Sequence, residues 1–71
     1  MKLTAVFEPA EEGGYTAWLE EMPGVISQGD TLEEARINLA DAFREVIEWQ
    51  REESRKLESS QCVREPFELV A

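Results

Sequence analysis

The side chains that could do chemistry in this 71-residue sequence are carboxylates, hydroxyls and one thiol, because the chain contains no histidine. It therefore lacks the side chain that most readily serves as a general base near neutral pH. Metal-assisted hydrolysis needs several carboxylates that converge on the ions, and the first predicted strand offers only Glu8, beside Pro9. The serine and threonine hydroxyls have no recognisable activating partner. The sequence predicts no catalytic, cofactor-binding or metal-binding residues, and hence a protein that is not an enzyme.

Cys62 is the single cysteine, and it lies in a connection rich in serine and glutamine. With no histidine beside it, a passive thiol is a better interpretation than a nucleophile. One cysteine cannot form an intramolecular disulfide, which favours a reducing compartment. The N-terminus lacks the features of a signal peptide, and no apolar run approaches membrane-spanning length. We expect a cytoplasmic protein without membrane contact.

The composition is that of one small globular domain over residues 1–71. Hydrophobic residues make up 42% of the chain, and two Trp, three Phe and one Tyr are available for a core. A chain this short buries only about 60% of its unfolded surface, so its stability margin is thin. Because no disulfide or metal is expected to add stability, the sequence predicts a homo-oligomer.

The charge is strongly acidic: sixteen acidic against seven basic residues give a net charge of −9. This argues against direct nucleic acid binding, which draws on clustered Lys and Arg. It suits a basic protein partner, although charge that only keeps a small protein soluble is an equal alternative. Three glutamate pairs could form an acidic surface for such a partner, or could be ordinary solvated surface: Glu11-Glu12, Glu20-Glu21 and Glu33-Glu34.

Hydropathy patterns predict an α+β fold with the order β-β-β-α-β. Alternation indicates strands at 2–8 and 14–20, separated by a loop that contains two glycines. A turn at Met22-Pro23-Gly24 leads to a short strand at 25–28, which Gly29 ends. A final strand is predicted at 63–70, at a sheet edge because Pro66 removes a backbone donor.

One long helix is predicted at 31–57. Thr31 and Glu34 have capping-box spacing, and Asp30 adds a negative charge near the helix N-terminus. The apolar stripe follows Leu32, Leu39 and Phe43 and fades after Ile47, so the rest of the helix should overhang the small, largely antiparallel sheet.

The helix can cover only one face of the sheet. Alternation assigns six residues to that covered face: Leu3, Ala5, Phe7, Tyr15, Ala17 and Leu19. The opposite face then carries Val6 and Trp18 between Thr4 and Thr16, a patch suited to a partner. We expect a dimer formed partly through Trp18. Ile37 and Trp49 lie about 140° and about 100° from the helix stripe and are further interface candidates.

The stretch 14–35, GYTAWLEEMPGVISQGDTLEEA, resembles the signature of HicB-like antitoxins. In that family a strand ends in a Pro-Gly turn, here Pro23-Gly24, and a Gly-Asp-Thr segment, here residues 29–31, opens the main helix. The resemblance implies a truncated RNase H-like fold and an inhibitor of a small basic HicA-like toxin that cleaves mRNA. Many relatives continue into a DNA-binding segment. The chain ends at Ala71 without one, so a short form that does not bind DNA is expected.

Two other functions remain open at this point. The chain could be a solitary homo-oligomeric scaffold, or a small-ligand module, that keeps the fold without a toxin partner. A metal-dependent nuclease is the third alternative, and the missing histidine and the single carboxylate on the first strand argue against it.

Overall fold

Three antiparallel strands followed by one long helix make up the regular structure of the computed structural model, which describes residues 2–69. The elements are β1 (Ala5–Pro9), β2 (Tyr15–Leu19), β3 (Met22–Gly29) and α1 (Leu32–Arg55). The strands are ordered β1-β2-β3, with β2 in the centre. The predicted α+β class, with one helix laid on a small sheet, is confirmed. No helix within residues 2–69 is long and apolar enough to cross a membrane.

The connection between β1 and β2 depends on two glycines with positive φ, Gly13 at 101° and Gly14 at 78°. The Ala10 backbone N–H donates to the Gly14 carbonyl, and the Gly13 N–H donates to the Ala10 carbonyl, both at 3.0 Å. A Cβ on Gly14 would lie 2.6 Å from the carbonyl oxygen of Gly29. Glycine is therefore required here for the backbone conformation and also for the close approach of β3.

The turn between β2 and β3 lies at Glu20-Glu21, so the predicted turn at residues 22–24 is wrong. Leu19 pairs with Met22, whereas the preceding Trp18 pairs with Ile26, so β3 has three extra residues at 23–25. Pro23 is tolerated in this bulge because the regular ladder is interrupted there. The bulge turns Val25 into the core, where it is 2% exposed.

The start of α1 is capped as predicted. Thr31 Oγ1 accepts a hydrogen bond of 3.0 Å from the Glu34 backbone N–H, and Glu33 and Glu34 lie in the first turn. A Cβ on Gly29 would lie 2.8 Å from the Glu34 carbonyl carbon and 2.9 Å from Ala35 Cα. Gly29 is thus the point at which the helix backbone meets the end of β3. The helix ends at Arg55, two residues before the predicted end.

The core lies between one face of the sheet and α1. Its buried members are Ala17, Leu19, Val25, Ala35 and Leu39, and half-buried apolar residues surround them: Phe7, Tyr15, Met22, Ala42, Phe43 and Val46. The predicted assignment of the sheet faces is therefore confirmed for Phe7, Tyr15, Ala17 and Leu19. Ala5 pairs with Leu19 and so projects on the same face as predicted, but it is exposed, as is Leu3.

The predicted strand at 63–70 is wrong over its described part. Residues 63–69 have no regular structure and are all exposed, and Phe67 is 90% exposed. Pro66 cannot donate to a ladder, and no apolar side chain of this segment gains burial that would favour pairing. Val70 lies outside the described residues. The relation to RNase H-like folds stays a prediction.

Candidate protein-binding site

An open cleft of about 520 Å³ lies at the end of the sheet where β2 begins and β3 ends. The turn between β1 and β2 forms one wall, and the first two turns of α1 form the other. The lining residues are Ala10, Glu12, Gly13, Tyr15, Thr16, Gln28, Gly29, Asp30, Glu34 and Asn38. Five of these residues belong to features that the sequence predicts. Glu12 and Glu34 belong to the possible acidic surface, Thr16 to the uncovered sheet face, and Gly29 and Asp30 to the turn before the helix.

Backbone pairing and one side-chain hydrogen bond fix the shape of the cleft. Thr16 pairs with Gln28 in the antiparallel register, which sets these two side by side. Asn38 Nδ2 donates a hydrogen bond of 2.8 Å to the Gln28 carbonyl oxygen and so ties α1 to the outer strand. The Thr31 cap places Glu34 in the first helical turn, at the rim of the cleft.

The charges in the cleft are all negative. Glu12, Asp30 and Glu34 line it, and no Lys or Arg does. All three residues are exposed, so their carboxylates keep their hydration and remain available to a cationic group. Within residues 2–69, no three carboxylate or thiol groups are arranged to hold a metal ion. The cleft is therefore suited to accept a lysine or arginine side chain from another molecule.

The six glutamates considered as one acidic surface separate into two groups. Glu11, Glu12, Glu33 and Glu34 belong to the segments around the cleft, whereas Glu20 and Glu21 follow the other end of β2. A five-residue strand is about 17 Å long, so the two groups are well separated.

Glu21 also has a local structural role. Its Oε1 accepts a hydrogen bond of 2.7 Å from the Thr4 backbone N–H. This hydrogen bond stabilises the ionised carboxylate and lowers the pKa of Glu21 below its ordinary value. The Glu20 backbone N–H donates to the Thr4 carbonyl at 2.9 Å, so this turn fastens the chain just before β1.

The uncovered face of the sheet carries an apolar row across all three strands. Val6 pairs with Trp18, which pairs with Ile26, so their side chains project on the same side. Val6 and Trp18 are half-buried, and Ile26 is 60% exposed. Thr16 lies on this face as predicted, in the next row. The sequence prediction did not include Ile26. Adjacent strand residues point to opposite faces, so placing Val25 in the core would have identified Ile26 as a residue of the uncovered face.

Ile37 and Trp49 are both exposed, at 56% and 62%, but for different reasons. Ile37 lies on the side of α1 away from the sheet. Trp49 follows Ala42 by seven residues and Val46 by three, which places it on the same side of the helix as these core residues. The apolar side of α1 is thus rotated from the predicted stripe toward Ala35 and Ala42. Trp49 is exposed because it lies beyond the sheet.

Two proteins of closely similar size resemble most of the chain. The UPF0150 protein ssl0738 of Synechocystis sp. is 44% identical over 55 residues, which are 78% of this chain and 76% of that protein. The UPF0150 protein Ta0767 of Thermoplasma acidophilum is 35% identical over 57 residues, 80% of this chain and 83% of that protein. Antitoxin HicB 1 of Photorhabdus laumondii subsp. laumondii is 37% identical over 57 residues, 80% of this chain.

The chain belongs to the HicB-like antitoxin family. It spans 37% of the length of Antitoxin HicB 1. Any stretch of 57 residues in a chain of 71 contains residues 15–57, so this similarity includes β2, β3 and α1. These are the HicB-like elements that form the core and most of the cleft. No protein-family model and no solved structure matches the chain.

Proposed function

We propose that this HicB-like protein is a non-catalytic antitoxin that binds and neutralises a small basic toxin of the HicA type, which cleaves mRNA. The observation that carries the proposal is the 37% identity with Antitoxin HicB 1, which extends through β2, β3 and α1. The same three elements contribute Thr16, Gln28 and Glu34 to the cleft.

The electrostatics of the chain support a basic partner. A net charge of −9 attracts a cationic protein over distance and raises the rate of association. At contact, Glu12, Asp30 and Glu34 can pair with lysine and arginine side chains that the toxin would otherwise direct to RNA phosphates. The antitoxin itself would then bind no nucleic acid, and its action on an mRNA-cleaving partner would take place in the cytoplasm.

The experiment first determines whether a reading frame beside this gene encodes a short basic protein, and then co-expresses that frame with the chain. Induction of that frame alone should arrest growth, and the antitoxin should restore growth and elute with the toxin in size-exclusion chromatography. The triple variant Glu12→Gln, Asp30→Asn, Glu34→Gln should lose at least tenfold in affinity for the toxin. The control Glu20→Gln, Glu65→Gln, Glu68→Gln removes the same three charges away from the cleft and should retain binding. Growth arrest that the wild-type chain does not relieve would contradict the proposal.

A solitary homo-oligomer that acts as a scaffold or small-ligand module is the second candidate. The observation that favours it is the apolar row Val6, Trp18 and Ile26 on the uncovered sheet face, which a second copy could bury. A neighbouring frame that encodes no basic protein, together with a wild-type oligomer in sedimentation, would support this candidate over the first.

A further inference from the structure

Trp49 lies on a part of α1 that extends past the sheet. The helix has 24 residues and is about 36 Å long, whereas a five-residue strand is about 17 Å long. Val46 is the last helix residue that packs against the core, and Trp49 follows one turn later on the same side of the helix. Its indole is 62% exposed. A large aromatic side chain is thus presented on a rigid element with no core beneath it.

Three glutamates neighbour this indole on the helix. Glu45, Glu52 and Glu53 stand four residues before, three after and four after Trp49, which are the spacings of neighbours on a helix surface. Glu48 directly precedes Trp49 and lies about 100° around the helix from it. Among residues 2–69, Glu48 pairs with Arg51 at 3.6 Å and Glu53 pairs with Lys56 at 2.9 Å, but Glu45 and Glu52 take part in no ion pair. The local charge around Trp49 is therefore negative and only partly neutralised.

We propose that Trp49 and its three neighbouring glutamates, Glu45, Glu52 and Glu53, form a docking surface for a lysine- and arginine-rich face of a protein. The inference rests on the proposed function, because the partner with this chemistry is the same basic toxin. An indole attracts a guanidinium or ammonium group through its π face, and nearby carboxylates strengthen that attraction. Exposed tryptophans on rigid elements are also frequent energetic centres of interfaces. A second copy of this chain suits the surface poorly, since it would bring Glu45 and Glu52 near another acidic chain.

The docking surface and the cleft can serve one partner at once. Glu34 at the cleft and Trp49 are fifteen residues apart, or about 22 Å along the helix. Asp41 and Glu45 lie between them, seven residues after Glu34 and four residues after Asp41, on the same side of α1 as Glu34. Asp41 pairs with Arg44 at 2.7 Å, and Glu45 takes part in no ion pair among residues 2–69. An ordinary interface buries about 800 Å² on each partner, a patch roughly 28 Å across. One toxin molecule can therefore cover the cleft, Asp41, Glu45 and Trp49 together.

The test measures binding of the toxin that the co-expression experiment identifies, carried as a variant that no longer cleaves RNA. Isothermal titration compares the wild-type chain with Trp49→Ala and with Val63→Ala, a control that truncates an apolar residue that is 87% exposed outside the sheet and the helix. Trp49→Ala should weaken binding at least tenfold, and Val63→Ala less than twofold. A second measurement uses a Trp18→Phe chain, in which Trp49 is the sole tryptophan, and a toxin variant without tryptophan. Binding should shift the fluorescence emission of Trp49 to shorter wavelength and reduce its quenching by acrylamide.

Each of the other possible outcomes shows which of the two proposals is wrong. If the wild-type chain binds the toxin and Trp49→Ala binds it equally well, the docking surface is wrong and the antitoxin function stands. If the wild-type chain binds no toxin, both proposals fall together. If Trp49→Ala instead converts an oligomer of the chain alone into a monomer, the surface serves a second copy and the inference is overturned. Circular dichroism of each variant must show an unchanged helix, which is expected because Trp49 is 62% exposed.

Discussion

The backbone of Ala35 passes so close to Gly29 that the end of β3 has no room for a side chain. A Cβ at Gly29 would overlap the Ala35 backbone nitrogen and come within 2.9 Å of its Cα. These are main-chain atoms of a capped helix, which cannot move aside as a flexible side chain would. Gly24, by contrast, has no atom within 4 Å of the position of a Cβ, and its φ is not positive.

Gly29→Ala should therefore destabilise the fold by about 2–3 kcal/mol, because the helix must shift away from the sheet. Gly24→Ala is the matched control and should change the free energy of unfolding by less than about 0.5 kcal/mol. Urea unfolding followed by circular dichroism measures both. Equal effects at the two glycines would show that the close approach of α1 is not what requires Gly29.

The hydrogen bond from the Thr4 N–H to Glu21 predicts a pH dependence of stability. The pKa of Glu21 is lowered from 4.5, so the folded state favours the carboxylate. Its contribution is present above the ordinary pKa and is lost as the pH falls through the lowered folded-state pKa. Glu21→Gln should reduce the thermal midpoint at pH 7 relative to Glu20→Gln, which removes the same charge from the same turn. That difference should shrink toward zero in acid, and a difference that grows below pH 4 would contradict the assignment.

We expect the chain to self-associate through the uncovered face of the sheet, with Trp18 at the contact. Trp18 pairs with Val6 and Ile26 in the register of the strands. Burying the remaining exposed surface of its indole in a dimer would contribute about 2 kcal/mol. Trp18→Ala should weaken self-association at least tenfold in sedimentation equilibrium, with the largest loss of thermal stability at low protein concentration. Val63→Ala, which truncates an exposed apolar residue outside the sheet and the helix, should leave association unchanged. A wild-type chain that is monomeric at hundreds of micromolar would refute the dimer.

Purified protein should not cleave RNA with Mg²⁺ or Mn²⁺. The reason is chemical: the chain has no histidine, and Glu8 is the one carboxylate of β1. The measurement is incubation of a fluorescently labelled single-stranded RNA with each metal ion. Cleavage that disappears in Glu8→Gln and persists in Glu12→Gln would overturn the assignment of a non-catalytic protein.

Local patterns allowed most of the elements to be predicted. The alternation around Phe7 and Ala17 fixed which face of β1 and β2 meets the helix, and the Thr31 cap fixed where α1 begins. Both signals depend on residues a few positions apart, so they do not require knowledge of the tertiary contacts.

The errors concern features that depend on distant contacts. The three-residue bulge at 23–25 depends on how β3 pairs with β2, which turn propensities do not report. The hydropathy pattern predicts that the apolar side of α1 is centred near Leu32, which puts Trp49 off the core side. The pattern carries no information on where the sheet lies against the helix. The segment 63–69 has the alternation of a strand but forms none. The cleft joins Glu12 in the first turn to Asp30 and Glu34 at the start of the helix, and no spacing in the sequence indicates that these two regions meet.

The cleft is built so that its shape and its charge can change independently. Its form depends on backbone geometry at Gly14 and Gly29, where any larger residue meets main-chain atoms. Its charge comes from Glu12, Asp30 and Glu34, which are exposed and can be replaced at little cost to folding. On the proposed function, substitutions at these three side chains would change which partner the cleft accepts while the scaffold stays the same.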